Sequence, residues 1–323
     1  YGADYLLWFA EEVKRTYGET IPSARADQRF LVQHMPVGVV AAVTPWNYPI
    51  SMITRKVAPA IAAGCTVVLK PAEATPLCAI AIFKILEEVG IPAGVINLVT
   101  THDPAPVGEE FCTNPIVRKL TFTGSTAVGK KLAQDAAPQL KRVSMELGGH
   151  APFLVFADAD LDHAVDQAIA AKFATSGQDC LAANRILIER PVYQAFCEAF
   201  TKRVEALSVG PGLEDPDIGP LMHERAIAKQ EDHVRDALAR GARLLTGGYR
   251  HTAGPLFFQP TVLADVPADA SIFREETFGP VAALASFDTE EDALARANDT
   301  EYGLIAYLHT QDPRRIYRAS RAL

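Results

Sequence analysis

Six segments of the 323-residue chain combine a reactive or ligand-holding side chain with a turn that would expose it. Phe122-Thr123-Gly124-Ser125-Thr126-Ala127-Val128-Gly129-Lys130-Lys131 joins an expected strand to an expected helix. Backbone amides and a helix N-terminus at such a turn can receive a phosphate. The segment approaches the pattern G-x-x-x-x-G-K-[ST], but Lys131 stands where a hydroxyl should hold Mg²⁺. It also carries Thr126 where G-x-G-x-x-G has its second glycine. Alone, it is a weak signal, and a tight strand–helix turn without a ligand is its competing reading. Thr44-Pro45-Trp46-Asn47-Tyr48-Pro49, Leu69-Lys70-Pro71-Ala72-Glu73 and Met145-Glu146-Leu147-Gly148-Gly149 set polar groups at the ends of expected strands. Ser176-Gly177-Gln178-Asp179-Cys180 offers a thiol, and Glu275-Glu276-Thr277-Phe278-Gly279-Pro280 offers carboxylates.

The thiols narrow the chemistry. Cys65, Cys78, Cys112, Cys180 and Cys197 are odd in number and show no C-x-x-C spacing. A reducing compartment suits them better than a disulfide framework, and the cytoplasm is the expected location. Most should be buried fillers, with at most one reactive; composition does not say which. The eight histidines form no HxxxH or HExxH grouping, so no protein-bound metal is expected. Apolar residues make up 49% and charged residues 22%, which excludes a disordered chain and a small disulfide scaffold. The longest apolar runs, such as Val37–Val43, fall far short of a membrane helix. A net charge of -8 without a basic stripe argues against nucleic acid as partner.

The elements that must position these groups alternate in type. Val37–Val43, Thr66–Leu69, Ile96–Val99, Lys119–Thr123 and Arg142–Leu147 read as short buried strands. Between them, Ile50, Ile53, Val57 and Ile61 share one helix face, and further helices are expected over 76–89, 104–112 and 126–137. Such alternation implies an α/β fold with a mainly parallel sheet covered on both faces. Three of the polar segments then lie at carboxyl ends of parallel strands, the edge where open α/β sheets bind ligands. Glu19–Pro36 is a polar excursion that reads as a hairpin of exposed strands. After Gly149 a second α/β region begins, with a strand over Pro152–Phe156, Asp158 and Asp160 as candidate caps, and a helix over 161–173. A strand over Arg185–Glu189 and a helix over 191–207 follow, while 208–221 and 246–260 read as loops.

The six segments, in this order, resemble those of the aldehyde dehydrogenase superfamily over essentially the whole chain. Ile21-Pro22-Ser23, Met52-Ile53-Thr54-Arg55-Lys56 and Glu146-Leu147-Gly148-Gly149-His150-Ala151-Pro152 look most like its succinate-semialdehyde group. The resemblance implies a Rossmann-like cofactor domain, an α/β catalytic domain and a small β oligomerisation excursion. It implies Cys180 as the nucleophile that forms a thiohemiacetal, with Asn47 and the Cys180 backbone N–H holding the oxyanion. Glu146 matches the base that activates water against the thioester. Lys70 and Glu73 match the residues that hold the adenosine ribose, and a carboxylate there would repel a 2′-phosphate, so NAD is favoured with NADP as a second cofactor. Val43, Trp46, Gly124, Ser125, Leu147, Glu276 and Phe278 complete the implied cofactor site. Arg55 matches one arginine that recognises a distal carboxylate.

Some positions depart from the pattern. Ala174 stands where the second carboxylate-binding arginine is expected, and Ala182 where redox-switched relatives carry a second cysteine. Asp179 sets a carboxylate beside Cys180, which opposes thiolate formation unless its side chain points away. Cys65 and Cys197 read as packing residues, and His150 as a local hydrogen-bonding residue rather than a base. The chain starts at Tyr1 within an expected helix and ends on a helical segment, so it reads as part of a longer protein. On that reading 1–18 and 37–147 belong to an NAD(P)-binding domain lacking its N-terminal part. Residues 19–36 form oligomerisation strands, and 148–323 a catalytic domain lacking its C-terminal part. These residues by themselves would then be poorly stable and inactive. The expected activity is oxidation of a small semialdehyde such as succinate or glutarate semialdehyde, by a homodimer or homotetramer acting on no nucleic acid or membrane. Competing readings are a general aliphatic or aromatic aldehyde dehydrogenase, a non-catalytic use of the fold, and a P-loop nucleotidase.

Overall fold

Short β-branched runs separated by amphipathic helices build two large sheets, one in each half of the chain, beside a two-stranded hairpin in the first. A computed structural model describes residues 1–323, which divide into two units, Tyr1–Leu147 and Gly148–Leu323.

The first unit opens with helix α1 (Gly2–Glu12) and an antiparallel hairpin of β1 (Glu19–Pro22) and β2 (Arg29–Val32), in which Ile21 faces Phe30. The expected exposed hairpin is present within 19–36, and all its strand residues are exposed. Next come β3 (Val39–Val43), α2 (Ser51–Ala62), β4 (Thr66–Lys70), α3 (Pro76–Glu88), β5 (Ile96–Leu98), α4 (Pro104–Thr113), β6 (Val117–Thr123), α5 (Thr126–Ala136) and β7 (Arg142–Glu146). The five later strands form one parallel sheet in the order β5-β4-β3-β6-β7. Alternation along β3 fills both faces: Val40 and Ala42 pack with Ile53, Val57, Val67 and Leu69, while Ala41 packs with Phe111, Leu120 and Phe122. The chain winds from β3 outward through β4 to β5, then crosses back to β6 and β7. The loops after β3 and β6 therefore diverge, which makes this the topological switch point at the carboxyl edge where open α/β sheets take ligands.

The second unit contains β8 (Ala151–Val155), α6 (Leu161–Phe173), β9 (Ala183–Glu189), α7 (Arg190–Glu205), α8 (Glu224–Ala239), β10 (Arg243–Thr246), β11 (Thr261–Ala264), β12 (Val281–Phe287), α9 (Glu290–Asn298), β13 (Tyr307–His309) and α10 (Pro313–Ala322). Its sheet runs β10-β11-β12-β9-β8-β13, with β10 antiparallel and the other pairings parallel. Asp160 caps α6 by accepting from His163 N at 3.0 Å. Asp158 does not cap it; its carboxylate takes the Thr310 hydroxyl and the Arg315 guanidinium, each at 2.9 Å. Phe196, Phe200 and Val204 of α7 are buried as their i+4 spacing predicts. Apart from Thr246, which ends β10, the expected loops 208–221 and 246–260 hold only a short turn at Gly212–Glu214 and isolated bridges, Val209–Ile218 and Arg250–Phe258. Periodicity alone does not mark α8, because Gln230 and His233 lie on its buried face and interrupt the apolar stripe. No helix of the chain is long and apolar enough to cross a membrane.

Candidate active site

In the first unit, hydrogen-bonded register aligns Val43 with Lys70 on one side and with Phe122 on the other, and Thr123 with Glu146. Val43, Lys70 and Glu146 are thus the last residues of their strands at one edge, with Trp46, Asn47, Glu73, Gly124, Ser125 and Leu147 in the loops that leave it. Backbone bonds stitch these loop starts together: Thr44 N donates to Lys70 O at 3.2 Å and Gly124 N to Glu146 O at 3.1 Å. Ser125 caps α5, its hydroxyl accepting from Val128 N at 3.4 Å. Gly129 serves packing: a Cβ there would lie 2.3 Å from Leu147 Cδ2, so the glycine lets α5 approach the end of β7. Lys131 pairs with Asp135 at 2.7 Å on an exposed helix face, a surface role unlike that of a phosphate ligand.

The residues at this edge fit a dinucleotide. Lys70 is buried and forms an ion pair with the more exposed Glu73, so an ammonium and a carboxylate are presented together. The hydroxyls of Thr44 and Thr123, buried at the same edge, have no hydrogen-bond partner within the protein. A buried hydroxyl without a partner is costly, and a ligand's polar groups would relieve it.

Arg55 and Glu146 line one polar cavity of about 290 Å³, with Lys56, Thr121, Thr123 and Ser144 among its walls. Lys56 escapes the sequence reading. Its ammonium donates to Thr121 Oγ1 at 3.1 Å. Burial and the neighbouring Arg55 charge push its pKa down to about 8, against the opposing pull of the Glu146 charge. Arg55 lies over the Tyr5 ring at 5.2 Å.

In the second unit the chemical groups lie at the amino ends of parallel strands. Cys180 precedes β9, Gly149 precedes β8, and Glu276 and Phe278 precede β12. Cys180 is half-exposed, whereas Cys65, Cys112 and Cys197 are buried as packing residues. Gly149 ties the segment carrying Cys180 to Glu276. Its N–H donates to Glu276 Oε1 at 2.9 Å, and a Cβ on it would fall 2.0 Å from the Cys180 carbonyl oxygen. Burial raises the Glu276 pKa, with the Gly149 bond and the Lys229 charge opposing. Lys229 donates to the Glu276 carbonyl, and Gln230 Nε2 to Thr277 O at 3.0 Å, so one turn of α8 holds this segment. Tyr307 donates to Leu181 O at 2.9 Å from β13.

Further residues of this unit are strained or deeply buried. Phe278 adopts φ +50°, a left-handed conformation unfavourable for a bulky residue. Lys172 is wholly buried and donates to Asn184 Oδ1 at 3.0 Å; burial lowers its pKa to about 7 while the Glu276 charge pulls it up. A sequence signal for it exists: Lys172 continues the Val165, Ala168 stripe of α6 at i+4, where an apolar residue belongs. Gln230 likewise interrupts the stripe Ile227, Val234, Ala237. His150 is buried, and burial with the Arg185 charge drives its pKa down to about 3, so its imidazole is neutral; its carbonyl accepts from Arg185 Nε at 3.1 Å. No group of three His, Cys, Asp or Glu side chains is placed to hold a metal ion.

Two α/β units, one gathering polar groups at the carboxyl edge of a parallel sheet and one carrying a half-exposed thiol, define the two-part α/β enzyme class to which comparison with known proteins points. The chain belongs to the aldehyde dehydrogenase family, whose model matches residues 1–323. It is 52% identical over its whole length to a succinate-semialdehyde dehydrogenase [NADP(+)] of Escherichia coli, covering 67% of that protein. It is 48% identical to a glutarate-semialdehyde dehydrogenase of Pseudomonas aeruginosa, again covering 67%. A solved succinate-semialdehyde dehydrogenase from Burkholderia pseudomallei superposes with a TM-score of 0.98 at 51% identity, over all of this chain and 67% of that one. The chain thus spans about two thirds of the length of these relatives, and 61% of a succinate-semialdehyde dehydrogenase from Oryza sativa.

Proposed function

We propose that the intact protein oxidises a small aldehyde with a distal carboxylate, of the succinate- or glutarate-semialdehyde kind, to the acid. Cys180 carries the reading: it is a half-exposed thiol in a segment that Gly149 links to Glu276. Family membership and the names of the relatives support the rest.

The thiolate of Cys180 adds to the aldehyde carbonyl, giving a thiohemiacetal whose oxyanion is assigned to the Asn47 amide and the Cys180 N–H. A bound nicotinamide supplies the acceptor for the hydride that leaves this carbon. The resulting thioester is hydrolysed by water that Glu146 deprotonates, which returns the thiolate and releases the acid. Lys70 and Glu73 are assigned to the adenosine ribose, Val43, Trp46, Gly124, Ser125 and Leu147 to the rest of the dinucleotide, and Glu276 and Phe278 to its nicotinamide end. The Glu73 carboxylate disfavours a 2′-phosphate, so NAD is preferred and NADP accepted second. Arg55 is assigned to the distal carboxylate. The exposed hairpin of β1 and β2 supports a homodimer or homotetramer, and the cysteine usage supports a reducing compartment, the cytoplasm.

Ala174, in place of a second arginine, favours a broader aldehyde range as the alternative. NADH and NADPH formation by the intact protein over an aldehyde panel separates the two. A kcat/KM for succinate semialdehyde no better than for propanal would reject the carboxylate assignment.

A further inference from the structure

The residues leading to Cys180 are held in an unfavourable conformation. Thr175, Ser176 and Gly177 take φ values of +52°, +59° and +71° in succession. Left-handed backbone suits glycine, but for residues with a Cβ it costs roughly 1–3 kcal/mol each and persists only where the surroundings over-determine it. Two buried polar side chains supply that restraint. The Ser176 hydroxyl accepts from Gly219 N at 2.9 Å and donates to Gly219 O at 3.3 Å. The Gln178 amide accepts from Met222 N at 2.9 Å and donates to Pro220 O at 3.2 Å. Both side chains are 5% exposed, and all four bonds end on one four-residue stretch of backbone, 219–222. Opposite this clamp, Gly177 packs on the Glu276 segment so closely that a Cβ would lie 2.3 Å from Gly279 O.

We infer that Ser176 and Gln178 are positioning residues for Cys180, holding a strained backbone turn that fixes the direction in which the thiol is presented. The inference rests on Cys180 being the reactive thiol of the proposed function. A loop without the clamp would relax toward right-handed backbone, with the bond from Gln178 N to Thr175 O at 3.1 Å left as a local restraint. The carbonyl and N–H of Cys180 would then leave the setting that Gly149 defines. The clamp is built by side chains, not by the sheet, so it can be weakened one bond at a time.

The test is alkylation of Cys180 by iodoacetamide across pH 6–10 on the intact protein without aldehyde or cofactor, read by peptide mass mapping. The half-exposed Cys78 is the internal reference. Gln178→Leu removes both amide bonds, Gln178→Glu keeps only the acceptor for Met222 N, and Ser176→Ala removes both hydroxyl bonds. For Gln178→Leu and Ser176→Ala we expect the high-pH plateau rate at Cys180 to rise several-fold toward that of an unrestrained thiol, with Cys78 unchanged, because release of the turn opens the half-buried sulfur to a reagent the protein does not position. Gln178→Glu should retain an intermediate rate, a graded rescue that mere loss of stability does not produce. Wild-type Cys180 profiles in folded Ser176→Ala and Gln178→Glu proteins would overturn the inference, even should Gln178→Leu fail to fold. Altered profiles in a protein that oxidises no aldehyde would reject the proposed function and leave the clamp standing.

Discussion

At the scale of the residue, the site separates groups that act from groups that hold. Cys180 and Glu146 are assigned the bond changes, so Cys180→Ala should reduce NADH formation to background while the circular dichroism spectrum stays unchanged. Glu73 is assigned to cofactor choice. Glu73→Ser removes the carboxylate that repels a 2′-phosphate and should raise the kcat/KM ratio of NADP over NAD about tenfold, in steady-state assays with each cofactor. Lys172 has a different consequence. Its folded pKa, about 7, lies below that of an unfolded lysine, so the unfolded chain binds the extra proton between the two values. Wild type should therefore gain stability relative to Lys172→Met as pH rises from about 7 to about 10.5, with a slope of at most ~1.4 kcal/mol per pH unit. Urea unfolding of both proteins at pH 7 and pH 9.5 measures it; equal differences at the two pH values would show that Lys172 titrates normally.

At the scale of the element, glycines decide how closely backbones meet. Gly149 lies where a Cβ would run into the Cys180 carbonyl, a backbone atom that cannot rotate away. Gly149→Ala should cost about 1–3 kcal/mol by thermal or urea unfolding and lower kcat more than the cofactor KM, because it displaces the segment carrying Cys180. Elements of the first unit were legible because their signals are local and repeated. The 3–4–4 spacing of Ile50, Ile53, Val57 and Ile61 gives α2, though Ile50 itself is the exposed residue before its start. The β3 strand starts at Val39, two residues later than the apolar run suggests. Elements of the second unit were harder to read, because α8 buries Gln230 and His233 to hold the segment carrying Glu276. There the residue type follows a neighbour that is distant in sequence, and hydrophobic periodicity carries no record of it.

At the scale of the whole molecule, the hairpin of β1 and β2 presents Ile21, Phe30, Leu31 and Val32 to solvent. A two-stranded hairpin with an apolar surface is marginal alone and gains from a covering partner. On the proposed homo-oligomer, Leu31→Glu should shift the intact protein toward smaller species in sedimentation velocity at micromolar concentration, with little change in monomer fold. An unaltered distribution would remove these strands from the assembly interface.

The sequence by itself determined the alternation of strands and helices, the family, and the candidate groups Cys180, Glu146, Asn47, Lys70 and Glu73, since those signals reside in local spacing and in short motifs. Tertiary structure decided what surrounds them. It set Val43, Lys70, Phe122 and Met145 in one hydrogen-bonded row, brought Gly149 between the Cys180 carbonyl and Glu276, and buried Lys56 and Lys172. It also fastened a left-handed turn to residues 219–222 through Ser176 and Gln178. Burial and close approach depend on residues far apart in the chain, so only the folded chain fixes the charge environment and the strain that the site uses.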